Sequence, residues 1–129
     1  MIAAVETLAG VLLVDAESED VLGPGSEVPH VEAPHVDLPR VVATAGAGST
    51  VVALLDRRPP LAISHDGGAT WREAGGGLPP GFAVAVAEDD PDRMLYAARN
   101  RLYLSVNGGV FWRALVPELP DISAVGWID

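Results

Sequence analysis

An eight-residue string is written twice in this chain, as Ser64-His65-Asp66-Gly67-Gly68-Ala69-Thr70-Trp71 and Ser105-Val106-Asn107-Gly108-Gly109-Val110-Phe111-Trp112, 41 residues apart. A self-match at such a period marks a stack of supersecondary units, each too small to bury its own apolar face. The dipeptide Leu-Pro keeps the same beat at Leu38-Pro39, Leu78-Pro79 and Leu119-Pro120. About three units fit in 129 residues, the length of one ordinary domain.

The runs between these landmarks read as short strands. Val41 to Ala45, Phe82 to Ala87 and Ile122 to Ile128 follow the three Leu-Pro pairs (strand A). Thr50 to Leu55 and Met94 to Ala98 come next (strand B), then Leu61 to Ser64 and Leu102 to Ser105 (strand C). Ala69 to Ala74 and Val110 to Leu115 close each unit (strand D), opened by Trp71 and Trp112 as apolar anchors. Short apolar runs split by Gly, Pro, Asp or Asn are antiparallel hairpin signals. The chain holds 14 Gly and 11 Pro, enough to break it this often. Four strands per unit of this length is the pattern of a β-propeller blade, so the expected class is all-β.

The repeated string resembles the Asp-box (BNR) repeat, Ser-x-Asp-x-Gly-x-Thr-Trp. Ser64, Asp66, Gly68, Thr70 and Trp71 match every fixed position. Ser105, Gly109 and Trp112 match in the second copy, where Asn107 replaces Asp and Phe111 replaces Thr. The resemblance runs from about Leu38 to Trp112. It implies a propeller similar to those of sialidases, sortilin-type receptors, xyloglucanases and photosystem assembly factors. It also implies that the boxes are structural C–D turns, far from any active face.

The units are permuted. Val5 to Ala9 reads as strand B, Val11 to Val14 as strand C, and Val21-Leu22 as a remnant of strand D; a third box is lost, with Ala16 at the Asp position. The order is therefore BCD-ABCD-ABCD-A. Residues 1-25 form the hybrid blade, 26-37 an insertion, 38-77 and 78-118 two whole blades, and 119-129 a clasp strand. Three blades fall below the usual four to eight. An open arc would leave a strand edge and apolar faces bare. The expected remedy is a two-fold homodimer of six blades, strand 122-128 of each chain completing strands 5-14 of the other.

Charge narrows the partners. The net charge is −10, and all eight cations are arginine. Such a chain repels phosphate backbones and anionic membrane surfaces, so neither nucleic acid nor membrane is expected. No basic residue precedes the apolar run Gly10 to Val14. The expectation is no signal peptide and a cytoplasmic protein. Without cysteine, disulfides and thiolate metal sites are excluded.

Three features could carry binding. Arg57, Arg58, Arg99 and Arg101 sit in B–C loops, where guanidinium forks suit carboxylate or phosphate ligands, or simply pair with nearby Asp and Glu. The insertion holds an echo, Pro29-His30-Val31-Glu32 and Pro34-His35-Val36-Asp37. Imidazole beside carboxylate suits zinc, nickel or iron, but the spacing is no ligand signature, and a Pro-stiffened loop accounts for it. The run Glu88-Asp89-Asp90-Pro91-Asp92 hints at calcium, yet fits an ordinary solvated turn. No catalytic residue is placed by motif: Tyr96 and Tyr103 stand in strands B and C, with no Glu set against them. The expected function is a self-assembling, non-enzymatic binding or scaffold protein without cofactor. Its partner would be a protein or an acidic glycan. The rival is a sialidase-like glycan-binding or glycoside-hydrolase-related protein with an anionic ligand at the arginines.

Overall fold

A computed structural model describes residues 1–128; Asp129, the last residue of the expected clasp segment, lies outside them. Twelve strands run in chain order: β1 (Ile2–Thr7), β2 (Gly10–Asp15), β3 (Asp20–Pro24), β4 (Val41–Ala47), β5 (Thr50–Leu55), β6 (Leu61–Ser64), β7 (Arg72–Ala74), β8 (Gly81–Val86), β9 (Met94–Ala98), β10 (Leu102–Ser105), β11 (Arg113–Ala114) and β12 (Ile122–Trp127). They form three sheets of four antiparallel strands, ordered β12-β1-β2-β3, β4-β5-β6-β7 and β8-β9-β10-β11. The described residues contain no helix.

The N-terminal strands begin earlier than the apolar run suggests. Ala3, Ala4, Val5 and Thr7 are buried and Glu6 is exposed; β1 spans Ile2 to Thr7 and the hairpin turns at Leu8-Ala9. Thr7 fixes that turn: its hydroxyl donates to the Gly10 carbonyl (2.7 Å) and accepts the Ala9 N–H (3.1 Å). The expected remnant at Val21-Leu22 is a whole strand, β3. Trp71 and Trp112 lie just before β7 and β11 and do not open them.

β12 pairs with β1 of its own chain, Ala3 opposite Trp127 and Val5 opposite Val125. The clasp is thus made within one chain, and no exchange between two chains is needed to complete this sheet. The middle sheet, β8 to β11, packs on one side against β12-β1-β2-β3 through Val5, Val14, Ala83, Leu95 and Leu104. On the other side it packs against β4-β5-β6-β7 through Val52, Leu54, Ile63, Met94 and Tyr96. The two outer sheets are linked by residues 25–40, which have no regular structure.

That link also covers what an open arc would expose. Val36 and Leu38 pack on Ala53, Leu55 and Ala62, the far face of one outer sheet. Val28 and Pro29 lie over Gly126, at 3.0 and 3.4 Å from where a Cβ would stand. Pro34 is held by the Thr44 hydroxyl, which donates to its carbonyl (2.9 Å). Val28, Pro34, Val36 and Leu38 are half-buried, whereas His35 and Asp37 are exposed. Alternation at 34, 36 and 38 is that of an extended segment lying on an apolar surface.

Candidate functional site

Each sheet ends in one strand that pairs on one side only and faces the centre: β4, β8 and β12. β8 lies against both of the others; among the described residues β4 and β12 do not touch. These three strands and residues 29 and 31–33 of the insertion enclose a cleft of about 650 Å³. That is the size range of ligand pockets, which are commonly some 300–1,000 Å³.

The mouth of the cleft is shaped by a threefold irregularity. The register slips between Val41 and Ala43 in β4, between Gly81 and Ala83 in β8, and opposite Glu6/Thr7 in β12, between Ala124 and Ile122. The extra residues are Val42, Phe82 and Ser123, each three to four positions after a Leu-Pro pair. A bulge bends the strand and re-aims the side chain that it adds. All three residues line the cleft and are exposed, Val42 and Phe82 at 49% each. Gly81 is needed for this geometry, because a Cβ there would stand 2.4 Å from the ring of Tyr96. Tyr96 itself is fully buried and donates its hydroxyl to the Pro79 carbonyl. Burial, and secondarily Tyr103 beside it, pushes its phenol up to about 12.

The other end of the cleft has different chemistry. Trp127, Glu32 and Glu88 line it with Gly48. The Trp127 ring is covered by the Arg93 guanidinium, 4.6 Å from its centroid, and its buried indole N–H has no hydrogen-bond partner among the described residues. Both glutamates are exposed. Among the described residues, no Lys, Arg or His lines the cleft.

The repeated turns lie elsewhere and are built from hydrogen bonds alone. The Ser64 hydroxyl accepts from the Gly68 N–H (2.8 Å) and donates to Asp66 (2.7 Å). Asp66 accepts from the Thr70 N–H (2.9 Å) and the Thr70 hydroxyl (2.6 Å). These bonds, Thr70 first and Ser64 next, hold its carboxyl well below the usual carboxylate range. Ser105 and Asn107 repeat the scheme: Gly109 N–H to Ser105 (2.9 Å) and Phe111 N–H to Asn107 (3.0 Å). The third turn, between β2 and β3, uses a residue that alignment to the box misses. Asp15 accepts the N–H groups of Glu17 (2.9 Å) and Ser18 (3.2 Å), and they lower its carboxyl. The signal was an acid at the end of a strand, able to form an Asx turn in place of the Ser hub.

The turns are chained across the sheets. Arg72 donates to the Gly108 carbonyl of the next turn. Arg113 pairs with Glu19 (2.6 Å) and reaches the Ala16 carbonyl (3.5 Å) of the one after. The other arginines behave differently from an anion rim. Arg57 pairs with Glu73 (3.3 Å), Arg99 with Asp121 (3.3 Å) and Arg101 with Glu118 (3.1 Å). Arg99 and Arg101 share a shallow hollow with Phe82, Asn100 and Tyr103, whereas Arg57 and Arg58 do not line it. His30 and His35 are both exposed, and no three metal-ligating side chains gather among the described residues. Within the acidic run, the Asp92 carbonyl accepts the Gly108 N–H (3.0 Å) and the Asp90 carbonyl the Arg93 N–H (2.9 Å), as in a plain turn.

Compared with known proteins, the chain matches no family model and no curated protein.

Proposed function

We propose that this chain is a non-enzymatic binding module, a three-bladed propeller of Asp-box type whose ligand seat is the central cleft. The observation that carries this reading is the ring of bulges. Three equivalent positions, Val42, Phe82 and Ser123, depart from regular pairing at the same place, and each adds a cleft-lining side chain. Bulges are enriched beside functional sites, where they re-aim side chains. The box turns support the frame and not the chemistry, since Ser64, Asp66 and Thr70 bond to one another.

Glu32 and Glu88 favour a second reading, a relative of glycan-processing propellers, because a glycosidase needs two carboxyls in one cleft. Against it, both are exposed, with no hydrogen bond or ion pair among the described residues to orient them. A general acid is held in place by its neighbours.

The test is amide NMR of the labelled protein with a library of small organic fragments that includes N-acetylneuraminic acid. Shifts clustering on 42–48, 82–86 and 123–127 support the cleft. Shifts confined to Arg99, Arg101 and Tyr103 would move the seat to the arginine hollow, and turnover of a fluorogenic sialoside would favour the glycan reading. Closure within one chain is supported by the β1–β12 register and by the cover from the insertion. Light scattering should therefore give a mass near 13.4 kDa. Twice that mass would favour a homodimer that exchanges β12 while keeping the same contacts.

A further inference from the structure

We infer that the central cleft takes an extended peptide segment with an apolar side chain at one end and a basic side chain at the other. The inference rests on the cleft being a ligand seat and names the class of ligand.

Shape comes first. β4, β8 and β12 each leave one edge unpaired, so their N–H and C=O groups along that edge are not used by a neighbouring strand. An extended peptide satisfies such groups by adding as a further strand. From Phe82 to Glu88 the lining of one wall covers six residue steps, about 20 Å of extended chain. A peptide of roughly six residues matches that length.

Polarity comes second. Val42 and Phe82 offer half-exposed apolar surface at the mouth, suited to a leucine-like side chain. At the far end stand Glu32 and Glu88, with Asp89 and Asp90 following in sequence and exposed. The nearest cation described there, Arg93, is turned to the Trp127 ring and to Asp89 (3.5 Å). A cleft lined among the described residues by two carboxylates and no cation, in a chain of net charge −10, draws a positive ligand and repels a negative one.

The experiment uses the full chain and fluorescein-labelled hexapeptides with blocked ends, leucine at one end and arginine at the other, in both orders. Fluorescence polarisation should show saturable binding. A glutamine in place of the arginine should weaken it at least tenfold, as should Glu32→Gln with Glu88→Gln, and 0.5 M salt should weaken it further. Phe82→Ala should weaken the arginine and glutamine peptides alike. Equal affinity of the glutamine peptide overturns the inference. So does displacement by N-acetyl-arginine amide at the same concentration as unlabelled peptide, which would make the seat one for a small cation. Lack of saturation overturns it too. The peptide and salt comparisons use the native chain, so they decide even if the double variant folds poorly. If fragments map to the cleft and the peptide does not bind, the inference fails and the binding reading stands. If fragments map elsewhere, both fail.

Discussion

The two box turns are nearly the same string, yet they live in different surroundings. The first, Ser64 to Trp71, belongs to an outer sheet, and its Gly67 and Gly68 are exposed and half-buried. The second, Ser105 to Trp112, belongs to the middle sheet, and Gly108 and Gly109 are buried. Arg72 from the first turn reaches the Gly108 carbonyl, and Ile63 presses beneath Gly109. The first turn carries an ionised hub with a hydroxyl partner. The second carries a neutral amide and an exposed Phe111. The same local hydrogen bonds therefore suffice for both, and neighbours decide how much a change at each will cost.

The tryptophans test this most strongly. Trp112 packs on the cluster between two sheets, edge-on to Tyr96 at 6.0 Å, and donates its N–H to Gly109 (3.0 Å). Trp71 packs on a far face, beside Val36 and Leu38. By urea unfolding, Trp112→Ala should cost about 3–5 kcal/mol. Trp71→Ala should cost about 2 kcal/mol, the transfer of one partly covered ring. Equal losses would mean that the outer sheet is as enclosed as the middle one.

The glycines come next. Both second-position glycines have positive φ, +96° at Gly68 and +86° at Gly109. A Cβ on Gly109 would stand 2.3 Å from Ile63 Cδ1, whereas at Gly68 the nearest atom is Trp71 Cζ2 at 3.6 Å. Gly109→Ala should cost about 2–4 kcal/mol, strain and overpacking together. Gly68→Ala should cost about 1 kcal/mol, strain alone. If the two thermal midpoints fall by the same amount, the packing of Ile63 under the second turn is wrong.

Smaller effects attach to the hubs. Ser64→Ala and Ser105→Ala each strand a glycine N–H and should cost about 1–2 kcal/mol, the latter more because Gly109 is buried. Smallest is Asp66→Asn, which makes the first turn like the second. The Asp66 carboxyl lies below its ordinary 3.8 in the folded chain, so its stabilising share is complete above that value and fades as pH falls through the folded value. The thermal midpoint of the native chain should exceed that of the variant near neutrality, and the gap should close in acid. A gap that persists at low pH would show that the amide, not the lost charge, is responsible.

Much of the frame was legible from particular residues. The Leu-Pro beat marked where each inner strand begins, and Gly, Pro and Asn marked the turns. The cleft was not legible. Val42, Phe82 and Ser123 share neither size nor polarity, and a bulge is set by pairing with another strand, which for Ser123 lies at the opposite end of the chain. The arginines were visible as a cluster of type, but their partners Glu73, Glu118 and Asp121 come from later segments.

The sequence by itself determined an all-β chain in three four-stranded units, because strand periodicity and turn chemistry act over a few residues and repeat. It also determined the inner wiring of the turns, since Ser64, Asp66 and Thr70 find one another within a single loop. Only the tertiary structure decided that β12 returns to β1 of the same chain. Only it decided that residues 25–40 lie across both end faces, and that three bulges face one cleft. Those outcomes depend on contacts between segments up to a whole chain length apart. There the loss of chain entropy on closure competes with apolar burial, and no local pattern records which arrangement wins.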